Sequence, residues 1–457
     1  MEKSNSYDLV IKGNIVLWDK ILYDSYLAVK GEKIAGIFSN GENVNGKEII
    51  DRSGNYIIPG AIDAHVHCYS SLDEGISNAT NAAACGGVTT IIEMPYDADG
   101  MICTKDLFIK KRNKIEKEAR VDVAMLATIK DNEEGLKEIK SITDEGACGF
   151  KMSMFNTNSA RFPRINEGLM FDAFCKISST GCPVGLHAEN DDIVRSFMKK
   201  YEEKGESDQK AHCYSRPKVS ESSAVAAAAE LALFSKVKLH IYHGSFPRIF
   251  NIVNYYKALG VRVTAETCPH YLCFSEKDMD ELKAKGKINP PLREEEDKEA
   301  LWKQISMGFI DMVTSDHAPW TLDKKSEKNI FKNSSGAPGV ETLLPIMYSE
   351  GVAKGRITML QLVNLISKRP AEVFGLDYCK GSLAVGMDAD FVILDPNENY
   401  ILDERELHST ALWSPYNGFK IQGKVTHTFV RGSCVYNNGE LNNNIHGKFI
   451  KGIPSSK

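Results

Sequence analysis

Through the middle of the chain, short β-rich runs alternate with longer helical segments, and this rhythm limits the possible folds more than any other feature. Eight such runs can be counted, at residues 56–67, 89–95, 122–129, 148–154, 183–189, 238–245, 262–270 and 312–318. A strand run followed by a helical segment reads as a βα unit, and repeated βα units build a parallel sheet. Eight units over roughly 320 residues predict a TIM-type (β/α)8 barrel with insertions. The two ends read differently. The stretches "YDLVIKGNIVL" and "SYLAVKGEKIAGIF" near the start, and "DADFVILDP" and "KVTHTFVRGSCVYNNGE" near the end, have strand character without helical periodicity. They are expected to pair into one small β-sandwich, residues 1–55 with 385–457, beside a barrel spanning 56–384.

A chain of 457 residues, 42% of them hydrophobic, can bury a large core. Its formal net charge of -5, with no Lys/Arg block, supplies no field for nucleic acid or an anionic membrane, so small molecules and other subunits are the expected partners. The opening "MEKSNSYDLVIKG" has no signal-type apolar stretch, and "AVAAAAELALF" is interrupted by Glu230. Eleven cysteines without a CxxC pair fit reduced thiols. A soluble, cytoplasmic protein is the expectation.

In a barrel of this kind the active site gathers at the C-terminal ends of the strands, and the unusual polar residues fall there. The first run ends "IDAHVH": at period two His65 and His67 share a side and can reach one metal ion. Three further runs end with His187 in "VGLHAEN", His243 in "LHIYHGS" and Asp316 in "VTSDHAP". Four imidazoles and one carboxylate exceed what one tetrahedral zinc takes and suit two metals. A bridging group is then needed, and no other carboxylate is expected at a strand end. The fourth run, "CGFKMSM", holds Lys151 without an acidic neighbour in sequence. A buried, unpaired ammonium is costly, so such a lysine is either neutral or chemically altered, for instance by carbon dioxide to an anionic carbamate. The other histidines read differently. His240 is expected in the packed core and His317 facing away from Asp316. His212 lies in the polar segment "KAHCYSRP", and His270, at the end of the seventh run, is placed to support the site from behind. Cys68 should be a buried thiol pointing outward.

In their order and separations, "PGAIDAHVH", "GFKMSM", "GLHAEN", "HIYHGS" and "VTSDHAP" resemble the cyclic amidohydrolases: allantoinases, hydantoinases, dihydropyrimidinases and dihydroorotases. The likeness runs over nearly the whole chain. It implies a barrel flanked by a β-sandwich and a binuclear centre. In that centre His65 and His67 bind one metal with Asp316, His187 and His243 bind the other, and carbamylated Lys151 bridges them. Zinc is the first expectation for the metals, with iron, cobalt or manganese also suited. The implied reaction is hydrolysis of an amide bond in a cyclic ureide or imide, with Asp316 passing the proton from water to the leaving nitrogen. Among ring types, "AETCPHYL" and the terminal "WSPYNGFKIQGKVTHTFVRG" look most like allantoinases. The arginine that dihydroorotases place two residues after the second histidine is here Tyr69. The oxyanion tyrosine of hydantoinases and dihydropyrimidinases is here Asn156, which can still donate a hydrogen bond. Two departures from the allantoinase pattern, "CYSSLDEG" after the histidines and "INPP" in place of "CSPP", keep hydantoinase-type activity on 5-substituted hydantoins or dihydropyrimidines as the alternative. By similarity, Asn289 and Ser335 flank the ureide. The likeness also implies a homo-oligomer, often a tetramer among relatives. Some relatives are assembly proteins that have lost metal ligands, whereas here all six positions are filled.

Overall fold

The computed structural model describes residues 6–442, 444 and 447–453. Eight parallel strands form the central sheet: β5 (Ala61–Val66), β6 (Val88–Glu93), β9 (Asp122–Ala127), β10 (Gly149–Ser153), β11 (Pro183–His187), β12 (Lys238–Ile241), β13 (Val263–Thr267) and β14 (Met312–Val313). Neighbours in this order pair in parallel, with registers such as Phe150↔Val184 and Leu239↔Val263. The ring closes through backbone bonds from His67 N to His317 O (2.9 Å) and from His317 N to His65 O (3.1 Å). Every residue of β5, β6, β9, β10 and β11 is buried, as expected for parallel strands covered on both faces.

The eight expected runs all appear, but most are shorter than expected. The first is divided. Residues 56–59 belong to β4 (Gly46–Pro59) and only β5 enters the barrel. Gly60 makes the crossing, where a Cβ would lie 2.1 Å from Thr89 Oγ1. The seventh run stops at Thr267, and His270 sits instead on a short helix, Pro269–Cys273, because proline favours the first turn of a helix and cannot donate within a sheet. His243 and Asp316 lie beyond β12 and β14.

The two ends of the chain supply one continuous eight-stranded sheet, the form taken here by the expected sandwich. From the N-terminal side come β1 (Tyr7–Val16), β2 (Ile21–Lys30), β3 (Lys33–Phe38) and β4. The C-terminal side adds β15 (Phe391–Ile401), β16 (Lys420–Val430), β17 (Ser433–Asn437) and β18 (Glu440–Leu441). Their order is β18-β17-β16-β15-β4-β1-β2-β3, so β4 joins the two ends, parallel to β1 and antiparallel to β15. Ile11, Leu27, Ile57, Phe391 and Phe429 form its apolar core, with the last two rings stacked 4.4 Å apart. A small hairpin, β7 (Tyr96–Asp97) with β8 (Gly100–Met101), follows β6. No helix among the described residues is long and apolar enough to cross a membrane.

Candidate active site

Residues from seven barrel strands or the loops after them surround a cavity of about 410 Å³ at the C-terminal end of the barrel. His65, His67, Lys151, His187, His243 and Asp316 all line it. The period-two spacing of the first strand brings both imidazoles toward the same lysine. His65 Nε2 lies 2.7 Å from Lys151 Nζ and His67 Nε2 lies 3.5 Å from it. Asp316 Oδ1 is 3.1 Å and 3.7 Å from the same two nitrogens. Ligand atoms of His65, His67 and Asp316 lie within 4.8 Å of one another, a group able to hold a metal ion. On the other side of the mouth, His187 Nδ1 and His243 Nε2 face each other at 2.9 Å.

Hydrogen bonds behind the site fix which nitrogen of His65 and of His187 is free. His65 Nδ1 is 2.6 Å from Glu266 Oε1, so Nδ1 carries the proton and Nε2 turns a lone pair to the cavity. His187 uses the opposite atoms: Nε2 donates to Glu189 Oε2 at 2.8 Å and leaves Nδ1 free. Nδ1 of His67 and of His243 are buried without a partner. This donor set, imidazole lone pairs converging with a carboxylate and a buried amine, fits divalent metal.

Electrostatics agree with that fit. Burial pushes Lys151 below the usual lysine range, against the fields of Asp316 and Glu266, and pushes Asp316 above the usual carboxylate range. Burial, followed by the nearby Lys151 charge, drives His65 and His67 well down, which keeps both rings neutral and able to ligate. His243 has φ of 41° and Asp316 of 47°, left-handed values that turn each side chain off its strand into the mouth. For non-glycine residues such backbone costs about 1–3 kcal/mol, and it concentrates at functional sites.

Contrary to the expectation of no further carboxylate, three more glutamates stand at or near strand ends. Glu93 pairs with Lys111 at 2.8 Å. Glu189 takes Arg216 at 2.5 Å beside His187; burial alone would raise its carboxyl, but Arg216 and His187 hold it well below the ordinary range. Glu266 is shared between His65 and His240, whose Nε2 is 3.1 Å away. His240 is thus buried, as expected, but it belongs to the support of the site. Glu266→Gln keeps the shape and loses the charge that orients His65. Metal affinity is expected to fall about 10–100-fold, read by competition with a chromogenic chelator; unchanged affinity would leave Glu266 as packing.

Among the remaining histidines, His317 faces away from Asp316, with Nδ1 accepting from Gly339 N and Val340 N. His270 is buried with Nε2 unpartnered, and burial pushes it down to about 3. His212 departs from its polar surroundings in sequence: it is buried on the helix Gln209–Tyr214, lines the cavity and meets Ile288 O at 2.9 Å. Cys68 is a buried thiol. Asn156, Asn289 and Ser335 all line the cavity. With its amide turned to satisfy both ends, Asn289 accepts from Ser335 Oγ at 3.2 Å and from Arg216 Nη2 at 3.3 Å. Asn156, expected as a donor, has Nδ2 engaged by Ser159 Oγ at 2.9 Å and keeps a buried Oδ1 free to accept.

A profile of the amidohydrolase family matches residues 56–435. An L-hydantoinase of Paenarthrobacter aurescens is 32% identical over 445 residues, covering 95% of this chain and 96% of that protein. An allantoinase of Rubrobacter xylanophilus is 32% identical over 456 residues, covering 98% of each. The solved structure of an L-hydantoinase (dihydropyrimidinase) from Arthrobacter aurescens superposes with a TM-score of 0.93 at 31% identity, covering 97% of this chain and 100% of that one.

Proposed function

This chain belongs to the amidohydrolase family, and we propose that it opens a five-membered cyclic ureide, allantoin first, at a pair of divalent metals held by six side chains. It is a hydrolase acting on cyclic amides. The observation that carries the metal reading is the convergence of imidazole nitrogens: His65 Nε2 and His67 Nε2 beside Asp316, and His187 Nδ1 opposite His243 Nε2, with Lys151 beside the first pair. Zinc is the preferred occupant, and Lys151 as its carbamate is the proposed bridge. Its buried amine, with a lowered pKa, is the form that adds carbon dioxide.

When bound, the metals supply Lewis acidity, polarising an amide carbonyl and lowering the pKa of water. The chain's own residues do the rest. Asp316, whose carboxylate faces the two imidazoles of the first strand, takes the proton from the attacking water and delivers it to the leaving ring nitrogen. Asn289 and Ser335 present a hydrogen-bonding edge to the ring amide, and Asn156 Oδ1 accepts from a ring N–H. Glu266 and Glu189 hold two of the imidazoles in the tautomers this needs.

A second reading, hydrolysis of 5-substituted hydantoins or dihydropyrimidines, is favoured by the L-hydantoinase resemblance, as strong as that to allantoinase. Eleven free cysteines suit a reducing cytoplasm, where we place the enzyme. We also propose a homo-oligomer, for which exposed Phe234 and Leu412 leave apolar surface. Ring opening of allantoin, hydantoin, 5-substituted hydantoins, dihydrouracil and dihydroorotate by the metal-loaded protein tests the reading. The five-membered ureides should turn over faster than dihydrouracil, and failure to open any of the rings would overturn it.

A further inference from the structure

We propose that Arg161 makes this cavity selective for cyclic ureides that carry a carboxylate. The inference rests on the cyclic-amide hydrolysis proposed above but not on its order of substrates: allantoin is neutral, and a carboxylate-selective wall puts acidic ureides ahead of it.

Four guanidinium or ammonium groups line the cavity besides Lys151, and they differ in what neutralises them. Arg195 is paired with Asp191 at 2.7 Å and Arg216 with Glu189 at 2.5 Å. Lys287 is held by two backbone carbonyls, Phe331 O at 2.9 Å and Asn333 O at 2.5 Å, and burial brings it down to about 7, so it can shed its charge. Arg161 has neither recourse. A guanidinium stays protonated in proteins, and among the described residues Arg161 has no carboxylate partner. Its Nε donates to Asp97 O at 2.8 Å, and Nη2 to Tyr69 O and Ser70 O, both at 3.4 Å. The carboxylate of Asp97 is itself taken by Lys111 at 2.6 Å.

These contacts fix the guanidinium rather than neutralise it. It lies 4.4 Å from the Tyr96 ring centroid, and Tyr96 meets His67 edge-on at 5.8 Å. The charge therefore sits on the wall beside the first imidazole pair, and Nη1 has no hydrogen-bond partner among the described residues. The main-chain contact to Tyr69 has a further consequence. Where dihydroorotases carry an arginine, this chain has tyrosine, yet Arg161 brings a guanidinium to that backbone from another loop. A carboxylate directly on the ring, or on a short arm at C5, is the group that completes such a site, since a planar guanidinium binds a carboxylate through paired charge-assisted hydrogen bonds.

The test uses pairs of ligands that differ only in charge, on the metal-loaded protein. One pair is 5-(2-carboxyethyl)hydantoin and 5-(2-carbamoylethyl)hydantoin, each as both enantiomers; the other is dihydroorotate and dihydrouracil. Wild type is expected to favour the acid of at least one pair by about tenfold or more in kcat/KM and in calorimetric Kd, the worth of a hydrogen bond to a charged group. The preferred pair tells whether the carboxylate sits on the C5 arm or on the ring. Arg161→Gln should bring that ratio to near one, and Arg161→Lys should keep part of it. Each ratio is taken within one protein, so loss of folded material cancels. Equal handling of both members of both pairs by wild type, or a ratio unchanged in Arg161→Gln, would overturn the proposal. If no ring is opened but the Kd ratio persists in wild type and collapses in Arg161→Gln, the hydrolase reading falls and the carboxylate site stands.

Discussion

Replacing Lys151 with alanine should abolish nearly all ring-opening activity and most bound metal. The amine lies 2.7 Å from His65 Nε2 and 3.5 Å from His67 Nε2, on the cavity wall and in the field of the buried Asp316 carboxylate. As a carbamate it would be the anion common to both imidazole pairs, and alanine leaves those pairs without it. The protein should still fold. The substitution removes a buried amine whose charged form burial already disfavours, and the strand around it is held by Phe150 and Met152 in the core. A short carboxylic acid added to the variant should restore part of the activity by filling the gap. Two metals per chain in Lys151→Ala, measured by plasma emission spectrometry, would contradict the bridging role.

Much of this site was legible in the sequence because its signals are local. Period two set His65 and His67 on one side, and the alternation of strand and helical runs placed His187, His243 and Asp316 at one end of a barrel. What was not legible depends on distant pairing or on backbone that departs from its element. Glu266 meets His65 across 201 positions, and no spacing rule connects them. A glutamate as the one charged residue of the strand VTAET was the available signal, since such a residue is rarely buried without a partner. The strand ends were overrun because His243 and Asp316 adopt left-handed backbone, which sequence periodicity cannot register. The resemblance carried ligand roles to six positions but said nothing of Arg161, whose importance lies in the carboxylate it lacks. The polar segment around His212 gave no sign that Ala211, His212 and Cys213 are all buried on its short helix.

Asp316→Asn should lower kcat by about 10² to 10⁴, the usual worth of general acid–base assistance. Asparagine keeps the size of the side chain and tolerates the left-handed backbone at this position, so the loop should hold. Its amide oxygen can still coordinate, but it cannot accept and return a proton. Loss of metal would also lower the rate, so metal content must be measured on the same preparation. A variant that keeps its metals and turns over within a factor of a few of wild type would leave Asp316 as a ligand alone. Equal loss of rate and metal would assign the defect to coordination.

The central claim is that these six side chains hold metals on which cyclic-amide hydrolysis depends, and activity titrated against metal content tests it most directly. Protein stripped by a chelator and dialysed should open neither allantoin nor hydantoin. Adding zinc in the presence of bicarbonate should restore turnover in proportion to bound metal and saturate at two ions per chain. Full turnover by the stripped protein, or none after both ions are bound, would contradict the account.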